Sequence, residues 1–167
     1  LIIGGTKGIG FATSQRLLES GCKVCIMSRS EKNLNSAKKD LQEKGYSDVH
    51  IYQGDASVKK DLISLYEYHE KKVGLPDIII NNCGGPPMGT YSDHDDELWQ
   101  KTFEQTFLPL VRLTKLFSQN MINNGWGRYI NISSAVAIEP SSIMILSASM
   151  RAALAAFSKS ISLSFAE

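Results

Sequence analysis

Near the start of the chain lies a glycine-rich segment of the kind that binds phosphate groups, Gly4-Gly5-Thr6-Lys7-Gly8-Ile9-Gly10. Three apolar residues precede it as the end of a buried strand, and residues 11–18 continue it as a helix. Gly4 permits a tight turn, Gly8 lets the backbone approach a pyrophosphate, and Gly10 lets the helix pack closely on the strand. The helix N-terminus then presents free N–H groups to the phosphates. The segment predicts a dinucleotide site, although its spacing alone is also compatible with an ordinary strand–helix turn.

Two other clusters contain residue types that bind metals or exchange electrons. Cys22 and Cys25 form a C-x-x-C where a strand is predicted to begin. Residues three apart on a strand point to opposite faces, so we expect neither a disulfide nor a metal site there. Asp93-His94-Asp95-Asp96 lies where a helix is predicted to begin, and acidic residues stabilise that end of a helix. We therefore expect no metal centre.

The positions of these residues depend on strands and helices that alternate along the chain. Short apolar segments bounded by turn residues predict strands at 1–3, 23–28, 48–52, 77–81 and 128–133. Helical spacing and capping residues such as Ser30 predict helices over about 11–20, 31–44, 57–73, 95–123 and 146–166. Pro109 is expected to kink the fourth helix, because it cannot donate to the carbonyl of Gln105.

This alternation, with strands apolar enough to be buried on both faces, is typical of an α/β fold with a doubly wound parallel sheet. We predict the strand order 3-2-1-4-5 and a ligand site at the carboxyl edge of the strands. The length predicts a single Rossmann-type NAD(P)-binding domain over residues 1–167. Because the sequence opens inside a strand and closes inside a helical pattern, we expect this domain to be incomplete at both ends.

Composition and charge argue against several classes of function. The formal net charge is +1, with 21% charged and 43% hydrophobic residues, so nothing favours nucleic acid or an acidic membrane surface as a partner. No apolar run approaches the roughly 20 residues that span a bilayer. Three cysteines are an odd number and predict no disulfide framework, so we expect a reducing, cytoplasmic location.

Four motifs, taken in order along the chain, resemble the short-chain dehydrogenase/reductase family, in particular its 3-oxoacyl-carrier-protein reductases and glucose dehydrogenases. They are the glycine-rich segment, Gly54-Asp55, Asn81-Asn82-Cys83-Gly84, and residues 127–134. The resemblance implies a Rossmann fold and an oxidoreductase that transfers hydride between a nicotinamide dinucleotide and a carbonyl or alcohol. The substrate candidates that the resemblance implies are 3-oxoacyl thioesters, sugars and small ketones, and the sequence does not choose among them. The implied cofactor-binding residues are Gly4, Thr6, Lys7, Gly8, Ile9, Gly10, Ser28, Arg29, Asp55, Ala56, Asn82, Cys83 and Gly84.

The end of the second predicted strand indicates which dinucleotide binds. Enzymes that use NAD place an Asp or Glu there to bind the ribose 2′-hydroxyl, whereas this chain has Ser28 followed by Arg29. A carboxylate would repel a 2′-phosphate, but a guanidinium binds it as a fork, and Lys7 is a second cation for it. We therefore predict NADP, with NAD less favoured; the other interpretation is that both side chains are solvated surface charges.

The resemblance also gives the positions of the family's catalytic Asn, Ser, Tyr and Lys. Ser134 matches the Ser that steadies the substrate oxygen, while the Tyr, Lys and Asn positions are occupied by Ser147, Arg151 and Thr106. A Tyr phenol ionises at about pH 10, and a nearby cation lowers that value. A serine alcohol is a much weaker acid. Arginine stays protonated, so it cannot shuttle a proton, but it can hold a ribose or stabilise negative charge.

These replacements leave two functions open. One is an NADP-dependent oxidoreductase with an atypical active site at these four positions, where the proton arrives through water. The other is a catalytically silent dinucleotide-binding protein, a sensor or partner subunit, in which residues 147 and 151 are ordinary helix residues. Tyr91 and His94 are alternative proton donors, because the loop after the fourth strand lies at the carboxyl edge of the sheet.

Two helices are expected to form a subunit interface, as they do in tetramers of the family. They are the long helix around residues 99–121 and the alanine-rich helix after Ser147. Small side chains on the second helix allow close approach of a partner helix, namely Ala152, Ala153, Ala155 and Ala156. We therefore predict a homodimer or homotetramer that acts on a small-molecule carbonyl or alcohol.

Overall fold

A computed structural model of the chain describes residues 1–165, and in this range five parallel strands form one central sheet. The strands are β1 Ile2–Ile3, β2 Val24–Ser28, β3 Val49–Gln53, β4 Ile78–Asn81 and β5 Arg128–Asn131. Ile2 pairs with Ile26 on one side and with Ile80 on the other, so β1 lies in the middle. The order is β3-β2-β1-β4-β5, which confirms the predicted α/β class and topology. β5 ends two residues earlier than predicted, and the chain enters a 3-10 turn at Ala135–Ala137.

Six α-helices lie within the described residues: α1 Gly8–Glu19, α2 Glu31–Glu43, α3 Lys59–Tyr68, α4 Asp96–Thr102, α5 Leu108–Asn123 and α6 Ile145–Ser164. Ser30 caps α2 as predicted, since its hydroxyl oxygen accepts a hydrogen bond from the Asn33 N–H at 3.2 Å. α3 begins two residues later than predicted. The Ser57 hydroxyl and N–H donate to the Asp55 carboxylate at 2.8 and 2.9 Å and therefore do not cap a helix. The predicted helix end at Ala166 lies outside the described residues.

The helix predicted over residues 95–123 is broken into two. A π-helical turn at Phe103–Phe107 separates α4 from α5, and Pro109 is the second residue of α5. Because the proline ring has no N–H, it cannot donate to the carbonyl of Gln105, and a regular α-helix cannot run through this point. The predicted kink is therefore a π turn. A second π turn, His69–Val73, follows α3.

Apolar side chains cover both faces of the sheet, which is why its central strands β1, β2 and β4 are buried. On one face, α1 and α2 contribute Leu18, Leu34 and Leu41. On the other face, α3 and α5 contribute Leu62, Leu65, Leu113 and Phe117. The helices are thereby fixed to the sheet, and the loops at the carboxyl ends of the strands remain free to form a site.

None of the helices within residues 1–165 combines the length and the hydropathy that a membrane crossing requires.

Candidate active site

A cleft opens at the carboxyl ends of β1 to β4, where the sequence predicts a ligand site. In a parallel sheet these strand ends and the loops that follow them meet at one edge. Of the predicted cofactor-binding residues, those lining the cleft are Gly4, Ser28, Arg29, Asp55, Ala56, Asn82, Cys83 and Gly84. Residues that also line it without having been predicted are Ile3, Met27, Gly54, Ser57, Gly85 and Gln105.

The glycine turn (residues 4–10) is packed against the loop after β4. Gly4 has a φ of +71°, and a Cβ added to it would lie 2.4 Å from the Asn82 carbonyl oxygen. A Cβ on Gly10 would lie 2.3 Å from the Gly4 carbonyl oxygen, as expected for close helix–strand packing. The Asn82 side-chain amide donates to that same carbonyl at 3.0 Å. Both glycines are therefore required by backbone geometry, and Asn82 holds the turn against β4.

The N-terminus of α1 follows this turn directly. Lys7 is the N-cap residue, in an extended conformation, and its side chain makes no capping hydrogen bond. Gly8 has a φ of +53°, and a Cβ added there would meet no atom within 4 Å. Lys7, Gly8 and Ile9 are exposed, so the first N–H groups of α1 face open space. This geometry fits a pyrophosphate; contacts from Thr6 to Gly10 with a cofactor remain a prediction.

The loops after β2 and β3 form the other end of the cleft. The Gly54 N–H donates to the Ser28 carbonyl at 3.0 Å, and the Gln53 side-chain amide donates to the Arg29 carbonyl at 3.2 Å. These bonds fix the backbone at the place where an NAD-binding carboxylate would stand. Ser28 is half-buried there and Arg29 is exposed, so the end of β2 carries a positive charge, while Asp55 after β3 adds a carboxylate to the same cleft.

Cys83 is a neutral thiol at the floor of the cleft. Its Sγ donates to the Asn81 side-chain oxygen at 3.0 Å. Burial raises the pKa of the Cys83 thiol to about 12, although the positive charge of Arg151 acts in the opposite direction. The thiol therefore packs and donates a hydrogen bond, and it lacks the thiolate form that a nucleophile needs.

Two of the four predicted catalytic positions are in direct contact. The Arg151 Nε donates to the Ser147 Oγ at 3.3 Å, and Nη1 donates to the Ile132 carbonyl at 2.7 Å. Both side chains lie on one face of α6 and are buried. Ser134 lies two residues beyond Ile132 at the start of the 3-10 turn, and its side chain makes no capping bond. Within residues 1–165, no hydrogen bond joins Ser134 or Thr106 to the Ser147–Arg151 pair.

Thr106 is buried in the π turn between α4 and α5, and its neighbour Gln105 lines the cleft. The π turn packs against α6 through an edge-to-face contact between Phe107 and Phe157, whose ring centres lie 5.8 Å apart. Sequence analysis missed Gln105, because a one-residue change in helical register decides which side chain of this turn reaches the cleft. The signal that could have identified it is Pro109, which requires a break there.

The acidic cluster after β4 forms helix caps. Asp93 accepts hydrogen bonds from the Thr90 N–H at 2.7 Å and from its hydroxyl at 2.6 Å, and Asp95 caps α4. Tyr91 is 77% exposed, while the Nε2 of His94 is buried without a partner among the described residues. Within residues 1–165 no three His, Cys, Asp or Glu side chains are grouped to hold a metal ion.

The fold and this site together define the class of protein. The family model for short chain dehydrogenase matches residues 1–167. The chain therefore belongs to the short-chain dehydrogenase family, and its close relatives are oxidoreductases.

Two relatives from Bacillus subtilis illustrate the similarity. The chain is 30% identical to the uncharacterized oxidoreductase YvrD over 159 residues, covering 95% of this chain and 59% of the relative. It is 31% identical to the NADPH-dependent reductase BacG over 166 residues, covering 99% of this chain and 64% of the relative. The chain thus spans about three-fifths of the length of these relatives.

A solved structure extends the likeness to three dimensions. The crystal structure of YwfH, an NADPH-dependent reductase involved in bacilysin biosynthesis, matches with a TM-score of 0.92 and 30% sequence identity. The match covers 98% of this chain and 65% of that chain.

Proposed function

We propose that the protein is an NADP-dependent oxidoreductase that transfers hydride between nicotinamide and a carbonyl or alcohol substrate. The observation that carries this proposal is the cleft, where the glycine turn, Asn82 and Arg29 meet at one edge of the sheet. The turn suits a pyrophosphate, and the exposed guanidinium of Arg29, which forms no ion pair within residues 1–165, suits a 2′-phosphate. The NADPH dependence stated for BacG and YwfH supports the same cofactor.

In such an enzyme, residues of this chain would bind and orient the substrate oxygen, while bound nicotinamide would supply or accept the hydride. Ser134 carries a hydroxyl group that orients a carbonyl by hydrogen bonding. Ser147 and Arg151 present a second hydroxyl and a guanidinium that stays charged in a buried position. Thr106 is buried in the π turn beside Gln105, the residue of that turn that lines the cleft. No side chain among these four donates a proton near neutral pH, so the proton comes from water.

Cofactor preference is tested by measuring the binding of NADPH and NADH to the purified full-length protein. We expect tighter binding of NADPH, and we expect Arg29→Ala to weaken NADPH binding by about 10- to 100-fold while NADH binding changes little. Arg16→Ala is the matched control, since Arg16 is an exposed arginine on α1 that pairs with Glu19. Equal or tighter binding of NADH by the unchanged protein would overturn the assignment of NADP.

The second candidate is a dinucleotide-binding protein without turnover. It is favoured by one specific observation, the buried Ser147–Arg151 pair at the positions where the family has Tyr and Lys. A panel of ketones, sugars and 3-oxoacyl thioesters distinguishes the two candidates. Oxidation of NADPH above background with any of them supports the enzyme, whereas tight NADPH binding with no turnover supports the silent protein.

We also propose a cytoplasmic location. Cys22, Cys25 and Cys83 are free thiols, and a reducing compartment keeps thiols in that state.

A further inference from the structure

Arg151 is a buried charge without a counter-charge. The residue is 9% exposed, and no carboxylate among residues 1–165 lies within 4.0 Å of its guanidinium. A guanidinium stays protonated under any working condition, so it cannot escape the cost of burial by losing its charge. Burying an unpaired ion costs several kcal/mol, which is why such charges usually have a partner.

The guanidinium is anchored at one end and unsatisfied at the other. Nε donates to the Ser147 hydroxyl and Nη1 to the Ile132 carbonyl, which leaves three of its five N–H bonds without an acceptor in the described chain. These two anchors fix the plane of the group. A Cβ added to Gly85 would lie 3.7 Å from Nη2, so the unsatisfied end faces the loop after β4. Gly85 itself lines the cleft.

The groups around this end are hydrogen-bond donors or neutral. The Ser147 oxygen accepts from Arg151, so its own hydrogen is available to a second acceptor. The Cys83 thiol is protonated, and its hydrogen is directed to Asn81. One positive charge and an adjacent hydroxyl thus lie beside Gly85 at the edge of the cleft. Asp55 also lines the cleft, but within residues 1–165 its carboxylate forms no ion pair with the guanidinium.

We propose that Arg151 and Ser147 bind a carboxylate of the substrate, so that the substrate is an oxo acid or the corresponding hydroxy acid. The planar fork of a guanidinium matches the two oxygens of a carboxylate, and one guanidinium balances one negative charge. A phosphate monoester carries close to two negative charges at neutral pH and would need a second cation. The inference rests on the proposed oxidoreductase function and specifies its substrate class.

Matched pairs of acid and neutral ester test the proposal. Pyruvate is compared with methyl pyruvate, and acetoacetate with methyl acetoacetate, by titration calorimetry on the full-length protein saturated with NADP⁺. We expect the acid of at least one pair to bind about 10- to 100-fold more tightly than its ester. Esters that bind as tightly as the acids in both pairs, or a failure of both acids to bind, would overturn the proposal.

Variants of Arg151 test whether this residue causes the preference for acids over esters. Arg151→Met should reduce the acid-to-ester ratio to about one, and Arg151→Lys, which keeps the charge but loses the fork, should give an intermediate ratio. Arg16→Met, which removes an exposed arginine on α1, should leave the ratio unchanged. Should Arg151→Met fail to fold, Arg151→Lys and Ser147→Ala take its place, and an undiminished ratio in both would refute the assignment.

The outcomes separate this inference from the proposed function. NADPH-dependent turnover of neutral ketones with no preference for acids would support the function and refute the carboxylate site. An Arg151-dependent preference for acids in a protein that turns over none of them would support the carboxylate site and refute the enzyme.

Discussion

Ser134 lies at the entry to a 3-10 turn, and its side chain makes no capping bond there. Its hydroxyl is therefore available to a ligand. If it donates to the reacting oxygen, Ser134→Ala removes stabilisation that exists mainly in the transition state, and we expect kcat to fall by about 10²- to 10³-fold. The affinity for NADPH should stay nearly constant, because the proposed cofactor contacts lie at the glycine turn and at the end of β2.

Steady-state kinetics and NADPH titration measure the two effects. Ser160→Ala is the control, since Ser160 is an exposed serine on α6 whose hydroxyl donates to the Ala156 carbonyl. Unchanged turnover in Ser134→Ala would contradict a role for this hydroxyl in the chemistry.

Positions 147 and 151 must be tested together. A Tyr at 147 provides a phenol whose pKa is about 10 in isolation, and a Lys at 151 would lower it towards working pH. We therefore expect the double variant Ser147→Tyr/Arg151→Lys to turn over neutral ketones faster than either single variant. A single-turnover assay with NADPH measures this, and additive effects of the two substitutions would argue against the coupling.

His69 makes the stability of the protein depend on pH. The residue is 1% exposed, its Nδ1 bonds to the Gly74 carbonyl at 2.8 Å, and its Nε2 has no partner among the described residues. Burial lowers the pKa of His69 from 6.5 to about 4, so the folded state holds the neutral ring. The resulting stabilisation is present above pH 6.5 and is lost as the pH falls towards 4, by at most about 3 kcal/mol.

Chemical denaturation at pH 7, 5.5 and 4 measures this dependence. In His69→Leu the decline of the unfolding free energy across this range should be smaller than in the unchanged protein. A parallel decline in both proteins would show that other groups are responsible.

The β1–turn–α1 element has no room for a side chain at Gly10. A Cβ there would lie 2.3 Å from a backbone carbonyl and 2.8 Å from the Asn82 side-chain nitrogen, and the carbonyl cannot move without distorting β1. We expect Gly10→Ala to lower the free energy of unfolding by about 1–3 kcal/mol and to weaken NADPH binding.

Thermal unfolding and NADPH titration check this prediction. Gly84→Ala is a matched control for stability, since a Cβ at Gly84 meets no atom within 4 Å. A Gly10→Ala protein as stable as this control would show that the helix can move away from the strand.

The glycine turn could be predicted from the sequence because local backbone conformation and close packing require glycines there. Gly4 adopts a positive φ, and Gly10 meets a neighbouring backbone. The π turn at Phe103–Phe107 could not be predicted as such, because its residues suit an α-helix equally well and only Pro109 shows that a break is needed. The burial of Arg151 could not be predicted from the sequence either, because it depends on contacts with Ile132 and Gly85 from distant parts of the chain.

The exposed face of α6 bears on the assembly of the protein. Ala152, Ala153, Ala155 and Ala156 are all exposed on α6, so their small side chains leave a helix face open to a second subunit. We propose a homodimer or homotetramer built on this face. Ala153→Glu should convert it to smaller species, because a buried, unpaired carboxylate would oppose association.

Size-exclusion chromatography with light scattering measures the mass of the full-length protein and of this variant. Lys32→Glu, an exposed charge change on α2, controls for altered surface charge. A stable monomer in the unchanged protein would refute the assembly.

The hydrogen bond from Asn82 to Gly4 joins residues 78 positions apart and has a consequence for folding kinetics. β1 lies between β2 and β4, so the central strand is complete only after a segment synthesised much later has docked beside it. Forming such a contact requires closure of a long loop, which slows folding relative to local contacts such as the one between Ser147 and Arg151. Dinucleotide binding should therefore be recovered in the slowest refolding phase, after most of the helical circular-dichroism signal has returned. The fluorescence of bound NADPH would then report the final closure of the sheet.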